Sequence, residues 1–292
     1  MQKITPFLWF GKDAEKAAKF YTSVFPDSKV LGVKRYDEES ANAAGMPPGS
    51  VLTVAFRLLG QDFTALNGGP IFKFNESMSF FVYCKTQRSL DGLFRKLSRN
   101  GKILQPLGKY FFAKRYAFFQ DRFGVAWQLI LSPGRPHIAP CLLFLGKNLG
   151  NGEAAVKFYT SVFKKAKIRS LLRYGKGEDN KPGSLKHSSF VLEGMEFVAM
   201  EGGGPDRSSF NESVSFMVSC RTQAEIDYYW KKLTHGGQEG QCGWLKDKYG
   251  VSWQIVPAEL DKMLSGPKRE KVMGALLKMK KLDIKKFKQA MK

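Results

Sequence analysis

The segment FNESMSFFVYCKTQ, Phe74–Gln87, returns 136 residues later as FNESVSFMVSCRTQ, Phe210–Gln223, with ten of fourteen positions identical. A repeat this long obliges the chain to build the same supersecondary unit twice. Other blocks repeat in the same order. FYTSVF occurs at Phe20–Phe25 and at Phe158–Phe163. ALNGGP (Ala65–Pro70) returns as AMEGGGP (Ala199–Pro205), and DRFGVAWQLI (Asp121–Ile130) as DKYGVSWQIV (Asp247–Val256). The offset falls from 138 residues early to 126 late, so the first copy carries an insertion. It is LQPLGKYFFAKRYAFF (Leu104–Phe119), opposite the shorter EGQCGWL (Glu239–Leu245). The spacing predicts two homologous domains, 1–132 and 139–257, a Pro/Gly-rich linker at 133–138, and a tail at 258–292.

Periodicity fills in each copy. ITPFLWF reads as a strand, and a helix opened by Lys12 or Asp13 places Ala17, Phe20, Tyr21 and Val24 on one face. SKVLGVKRY, SVLTVAFRLLG and QDFTALNGG read as three strands, with a hairpin at Gly60-Gln61. MSFFVYC is a further strand. A helix follows with Thr86 as N-cap, Leu90, Leu93, Phe94 and Leu97 on its apolar face, and Gly101 as C-cap. Strands through RYAFFQ and GVAWQLIL complete an α+β chain of four βαβββ modules.

The words ITPFLWF, AAKFYTSVFPDSKV, ALNGGP, FKFNESMSFFVYC and DRFGVAWQL, with GEAAVKFYTSVF, FNESVSFMVSC and DKYGVSWQIVP, resemble the PhnB-like branch of the vicinal oxygen chelate superfamily. That superfamily contains glyoxalases, bleomycin-resistance proteins and extradiol dioxygenases, and its PhnB-like branch is sometimes labelled a demethylubiquinone methyltransferase. The resemblance implies two tandem domains, each with a cup formed by two βαβββ modules. It also implies a divalent metal held by His, Glu, His and Glu from first and last strands. Carried over position by position, those ligands fall near Pro6, Asn67, Ser79 and Gln128 in the first copy. In the second they fall at Pro140 or Cys141, Glu201, Ser215 and Gln254. Only Glu201 is a carboxylate, whereas such chemistry needs several oxygen or imidazole donors.

The residues themselves add little catalysis. The three histidines, His137, His187 and His235, have no ligand spacing. No strand, Gly-rich turn and helix succession suits a nucleotide-type cofactor, so nothing supports methyl transfer. No nucleophile motif is present, and paired carboxylates are missing from the expected cups. Trp9, Trp244, Phe72 and Phe74, with the amides and hydroxyls above, suit a mostly apolar pocket for an uncharged or amphipathic small molecule. Trp127 and Trp253 read as core, Asp121 and Asp247 as turn formers, and Glu76 and Glu212 as loop caps or cup-mouth groups. The expectation is a small-molecule binding protein with no cofactor. The alternatives are a superfamily enzyme (lyase, isomerase or dioxygenase) with a displaced divalent metal near Glu201, and an interaction protein working through the tail.

Composition supplies the remaining bounds. Hydrophobic content of 43% and charged content of 25% fit a globular chain, and no apolar run suffices to span a bilayer. The opening MQKITPFLWF lacks a signal-peptide layout, and Cys84, Cys141, Cys220 and Cys242 form no C-x-x-C pair, which points to the cytoplasm. Net charge is +21, of which +9 lies in Lys262–Lys292, where eleven basic residues face two acidic ones. Val272, Leu276, Met279 and Leu282 form a helical stripe there, and Asp283 caps a last helix holding Phe287 and Met291. Docking of that stripe on the domains is expected. Non-specific contact with nucleic acid or an anionic surface is the other use of such a tail. The oligomeric state, monomer or dimer, is left open.

Overall fold

The computed structural model describes residues 2–178, 180–202 and 208–292. The first module is β1 (Ile4–Phe10), α1 (Ala14–Val24), β2 (Lys29–Arg35), α2 (Glu38–Ala44), β3 (Val51–Leu58) and β4 (Gln61–Asn67). The second is β5 (Met78–Cys84), α3 (Gln87–Leu97), β6 (Lys102–Tyr110), β7 (Ala113–Gln120) and β8 (Ala126–Leu131). The third is β9 (His137–Phe144), α4 (Gly152–Val162), β10 (Ala166–Arg173), β11 (Leu185–Leu192) and β12 (Met195–Glu201). The fourth is β13 (Val214–Cys220), α5 (Gln223–Thr234), β14 (Gln238–Glu239), β15 (Trp244–Lys246) and β16 (Ser252–Pro257). The tail holds α6 (Leu260–Met263), α7 (Arg269–Leu277) and α8 (Ile284–Ala290). Among the described residues, no helix is long and apolar enough to cross a membrane.

The four expected modules are present, but they pair across the linker. One eight-stranded sheet has the order β14-β15-β16-β13-β1-β4-β3-β2, and the other β10-β11-β12-β9-β5-β8-β7-β6. Sheet A thus joins modules one and four, and sheet B joins modules two and three. This corrects the expectation that consecutive modules of one repeat share a cup. The seams are antiparallel: Phe7 faces Ser215 in β1–β13, and Ser79 faces Cys141 in β5–β9. The short link between β8 and β9 explains the exchange. Both strands flank β5, so the link steps over one strand, on the order of 10 Å. The chain that leaves β8 therefore stays in sheet B.

The repeated FNES segment sits where the chain passes between sheets. Asn75 Oδ1 accepts from Ser77 N at 2.9 Å, and its Nδ2 donates to Ser209 O at 3.0 Å. Asn211 Oδ1 accepts from Ser213 N at 2.8 Å, and its Nδ2 donates to Lys73 O at 2.9 Å. Each crossing therefore shapes itself and clasps the other. Glu76 and Glu212 instead pair with Lys102 and Lys246.

One core lies between the sheets. Phe63 of sheet A meets Phe80 of sheet B at 5.6 Å, and Phe80 meets Trp127 at 5.5 Å. Phe197, Phe216 and Trp253 repeat the ladder at 5.1 and 5.3 Å. Trp127 and Trp253 are fully buried there, as core residues. Their indole N–H groups donate to Asp121 and Asp247, which are more than turn formers. Asp247 accepts from Trp253 Nε1 and Tyr159 Oη, each at 2.8 Å, and from the backbone N–H of Tyr249 and Val251. Asp121 accepts from Trp127, Tyr21, Phe123 and Val125 in the same way. Each carboxylate ties a helix of one sheet to the last hairpin of the other.

Local details depart from the sequence reading in three places. Thr86 caps α3 as expected, but the helix ends at Leu97 with Ser98 as C-cap. Asn100 holds the left-handed position, and Gly101 is needed because a Cβ there would meet Gln120 O at 2.0 Å. The unforeseen α2 is opened by a capping box between Asp37 and Ser40. The tail stripe breaks into two helices at Lys278. Val272, Met279, Leu282 and Phe287 are nonetheless buried together against Val256 and Met217. Asp283 caps α8, accepting from Lys285 N at 2.7 Å.

Burial raises Asp247 to about 6, against the pull of its hydrogen-bond donors, chiefly Trp253 and Tyr159. The unfolded carboxyl titrates near 3.9, so the folded state holds the proton more tightly. Its contribution to stability is complete below about pH 4 and is lost as pH rises through about 6. Urea denaturation of wild type and Asp247→Asn across this range tests the link. The stability advantage of wild type should shrink by about 2–3 kcal/mol between pH 4 and pH 6.5.

Candidate functional site

Strand alternation assigns each side chain to the shared core or to the outer face of its sheet. Ile4, Leu8 and Phe10 join the shared core, so Thr5, Phe7 and Trp9 lie on the outer face of β1. The same count turns Pro6 and Pro140 inward and Cys141 outward. Ser79 and Gln128 are outward in sheet B, and Ser215 and Gln254 outward in sheet A. The expected ligand positions thus regroup by sheet, not by repeat.

Asn67 and Glu201 face inward. Each shares its parity with two core residues, Phe63 and Ala65 or Phe197 and Ala199. Each serves a helix instead of a cup. Asn67 Oδ1 accepts from Ala14 N, the first residue of α1, at 2.8 Å, while its Nδ2 donates to Val51 O. Glu201 Oε1 accepts from Gly152 N, the first residue of α4, at 2.7 Å. The N-cap residues Asp13 and Asn151 make no side-chain capping bond, so a distant strand end supplies the cap. A carboxylate suits that end of the helix dipole. The last residues of the AMEGGGP repeat, 203–205, lie outside the described residues.

The outer face of sheet B is filled by its own side chains. Gln128 Nε2 donates to Ser79 Oγ at 2.8 Å, and the Tyr116 hydroxyl donates to Gln128 Oε1. Cys141, Phe81, Phe118 and Val198 pack around this chain of hydrogen bonds. Burial pushes the Cys141 thiol up to about 12, which keeps it neutral and unreactive. The cover is the first-half insertion: Leu104, Tyr110 and Ala113 of the β6–β7 hairpin join the same cluster. Tyr116 and the plug it forms were missed in the sequence, although the insertion that carries them was visible.

Sheet A is different. Gln254 Nε2 donates to Ser215 Oγ at 3.0 Å, repeating the Gln128–Ser79 bond. Where Tyr116 closes the network in sheet B, two residues before the strand partner of the glutamine, the second half has Cys242. Ser252, opposite Ser215 in the ladder, replaces the alanine at 126. Its hydroxyl is buried and has no hydrogen-bond partner. Beside these groups stands an aromatic wall. Trp244 meets Phe7 at 6.0 Å and Trp9 at 5.9 Å, and Trp9 meets Phe72 at 5.0 Å. Trp9 donates its indole N–H to Gly69 O at 2.9 Å and lies so close over Gly68 that a Cβ there would sit 2.2 Å from its ring. Phe74, expected in this wall, packs instead on Phe10 in the core. The docked tail packs on Val256 and Met217 of the same outer face.

The donors present do not fit a divalent ion of the kind the fold family uses. The outward groups are neutral hydroxyls and amides, already bonded to one another in sheet B, and the one carboxylate caps a helix on the opposite face. Among the described residues, no group of three or more His, Cys, Asp or Glu could hold a metal.

Comparison with known proteins gives the family and a likeness of fold. The family model described as 3-demethylubiquinone-9 3-methyltransferase matches twice, over residues 2–130 and 136–256. The PhnB protein from Bacillus cereus is 41% identical over 45% of this chain and 100% of its own, with a TM-score of 0.42. Glyoxalase I from Zea mays, at 14% identity, covers 89% of this chain and 94% of its own with a TM-score of 0.55, a likeness of fold. The comparison with curated proteins gives no match.

Two substitutions separate these roles. Tyr116→Phe strands Gln128 Oε1 in a buried network and should cost about 1–3 kcal/mol in chemical denaturation. Glu201→Ala should lower stability by about 0.5–2 kcal/mol through the lost cap. The loss should be the same with Zn²⁺, Ni²⁺, Mn²⁺ or Fe²⁺ as with chelator; a loss confined to one ion would return Glu201 to a metal site.

Proposed function

Since the chain belongs, twice over, to the PhnB-like family described as 3-demethylubiquinone-9 3-methyltransferase, we propose that it binds an uncharged or amphipathic small molecule on the outer face of sheet A. The observation that carries this reading is the Ser252 hydroxyl. It is buried without a partner, opposite Ser215 of the Ser215–Gln254 pair, and Gln254 is itself the strand partner of Trp244 in the aromatic wall. An unpaired buried hydroxyl costs about 1–3 kcal/mol, which a ligand bearing one donor or acceptor would offset. Thr5, Ser215, Ser252 and Gln254 would orient that polar group, and Phe7, Trp9 and Trp244 would cover its apolar body.

Binding is favoured over metal-dependent turnover by the chemistry of the groups around the site. Thr5, Ser215, Ser252 and Gln254 neither ionise near neutral pH nor bind divalent ions strongly. Sheet B, filled by Tyr116 and the hairpin, would act as the structural twin. In this reading the two sheets have diverged from one ancestral unit into a receptor and a scaffold.

The test uses the uncharged fluorescent probe N-phenyl-1-naphthylamine. It should bind the full chain at one site and receive energy from Trp9 and Trp244. Trp244→Ala and Gln254→Leu should each weaken it by about tenfold, a loss of ~1.4 kcal/mol, while Phe118→Leu in sheet B leaves it unchanged. Binding that ignores both sheet A variants would overturn the assignment.

A further inference from the structure

A concavity lies at one end of the sheets, where the starts of β1 and β9 meet the β3–β4 and β11–β12 hairpins and the linker. Its volume is about 990 Å³. Six cationic side chains line it: Lys3, Arg135, Lys164, Lys165, Arg169 and Arg221. Three acids line it too, and each is engaged. Glu225 pairs with Lys3 at 3.0 Å. Glu196 pairs with Arg169 at 2.8 Å and lies 3.4 Å from His137 Nε2. Glu193 accepts from the Tyr229 hydroxyl at 3.2 Å. Among the described residues, Arg135, Lys164, Lys165 and Arg221 form no ion pair.

Two further observations point to a ligand. Gln61 lines the cavity, and its buried Nε2 has no hydrogen-bond partner. The charge is also not inherited from the repeat. FYTSVFKKAKIR in the second half aligns without gaps on FYTSVFPDSKVL in the first. Lys164, Lys165 and Arg169 therefore stand where the first half has Pro26, Asp27 and Leu31. Only the copy that lines the cavity is basic at these places.

We propose that this cavity binds a small molecule carrying several phosphate charges, held by Arg135, Lys164, Lys165 and Arg221 and by the free amide of Gln61. Clustered cations in a concave site focus the field and favour a compact polyanion, and arginine adds bidentate hydrogen bonds to phosphate oxygens. Ile4, Ile138 and Met195 give the cavity an apolar component that an organic portion would cover. A nucleic acid would need a basic stripe along its backbone; here the cations converge from several segments on one open concavity. This site is separate from the sheet A face, and neither reading rests on the other.

Isothermal titration calorimetry of the full chain with inorganic tripolyphosphate should reveal one saturable site per chain. The double variant Arg135→Ala/Lys165→Ala alters exposed residues and should fold normally by circular dichroism, yet bind at least about tenfold more weakly. Tail variant Lys285→Ala/Lys288→Ala and sheet A variant Trp244→Ala should keep wild-type affinity. ATP titrated in parallel separates free polyphosphate from phosphate esters: tighter binding than tripolyphosphate assigns an organic moiety to the apolar wall, and equal binding assigns phosphate alone. Equal weakening by the tail variant would reduce the effect to the diffuse field of a basic protein and overturn the site. A single-stranded oligonucleotide that binds more tightly than tripolyphosphate, and is lost in the same double variant, would replace the small ligand by nucleic acid.

Discussion

Everything in this molecule follows from two antiparallel seams, β1 against β13 and β5 against β9. They join the opening strand of one module to the opening strand of a module from the other repeat. Once those hydrogen bonds are made, each sheet is a composite, and each outer face takes residues from both halves. The Asp121 and Asp247 knots then act at right angles to the seams. They tie α1 in the first module to the final hairpin of the second, and α4 in the third to that of the fourth. Seams hold repeat to repeat, and knots hold sheet to sheet. Neither set alone fixes the arrangement.

The duplication is symmetrical in its core and unequal at its surfaces. Both halves carry the aromatic ladder, the buried Asp and the Gln–Ser pair. They differ in what covers them. A long β6–β7 hairpin lays Tyr116 over sheet B, whereas the shorter β14–β15 turn leaves sheet A to be bordered by the C-terminal helices. One insertion and one tail thus give two faces of common origin different properties: a closed one with every amide satisfied, and one that keeps an unpaired hydroxyl.

Much of this was legible in the residues. The repeat and its blocks gave the modules, the α+β class and the family, because identical words impose identical local structure. Tail docking was readable from its apolar stripe. The partnering of modules was not, because alternation says which residues are buried but not which strand lies alongside. The inward turn of Asn67 and Glu201 was available in QDFTALN and MEFVAME, where each shares its parity with two apolar core positions. The family pattern, which assigns ligands to these strand ends, points the other way. The helix-capping role of these two side chains joins residues about fifty positions apart, a distance that local signals do not cover. The cavity between the repeats is likewise a product of assembly, since its cations come from segments scattered along the chain.

The short link between β8 and β9 has a consequence for how chains meet. A half-chain lacking its partner would present β1 and β5 as bare edges, each specific for a strand it does not own. In the intact protein those edges find their complements within the same polypeptide, at an effective concentration set by the tether. Two crowded, partly unfolded copies have another choice: the front half of one can clasp the rear half of the next. Such an exchange closes as a dimer if both partners reciprocate and propagates as a string if they do not. Carrying both halves in one chain thus makes the pairing an internal event, and makes the speed of that internal closure the barrier against entanglement.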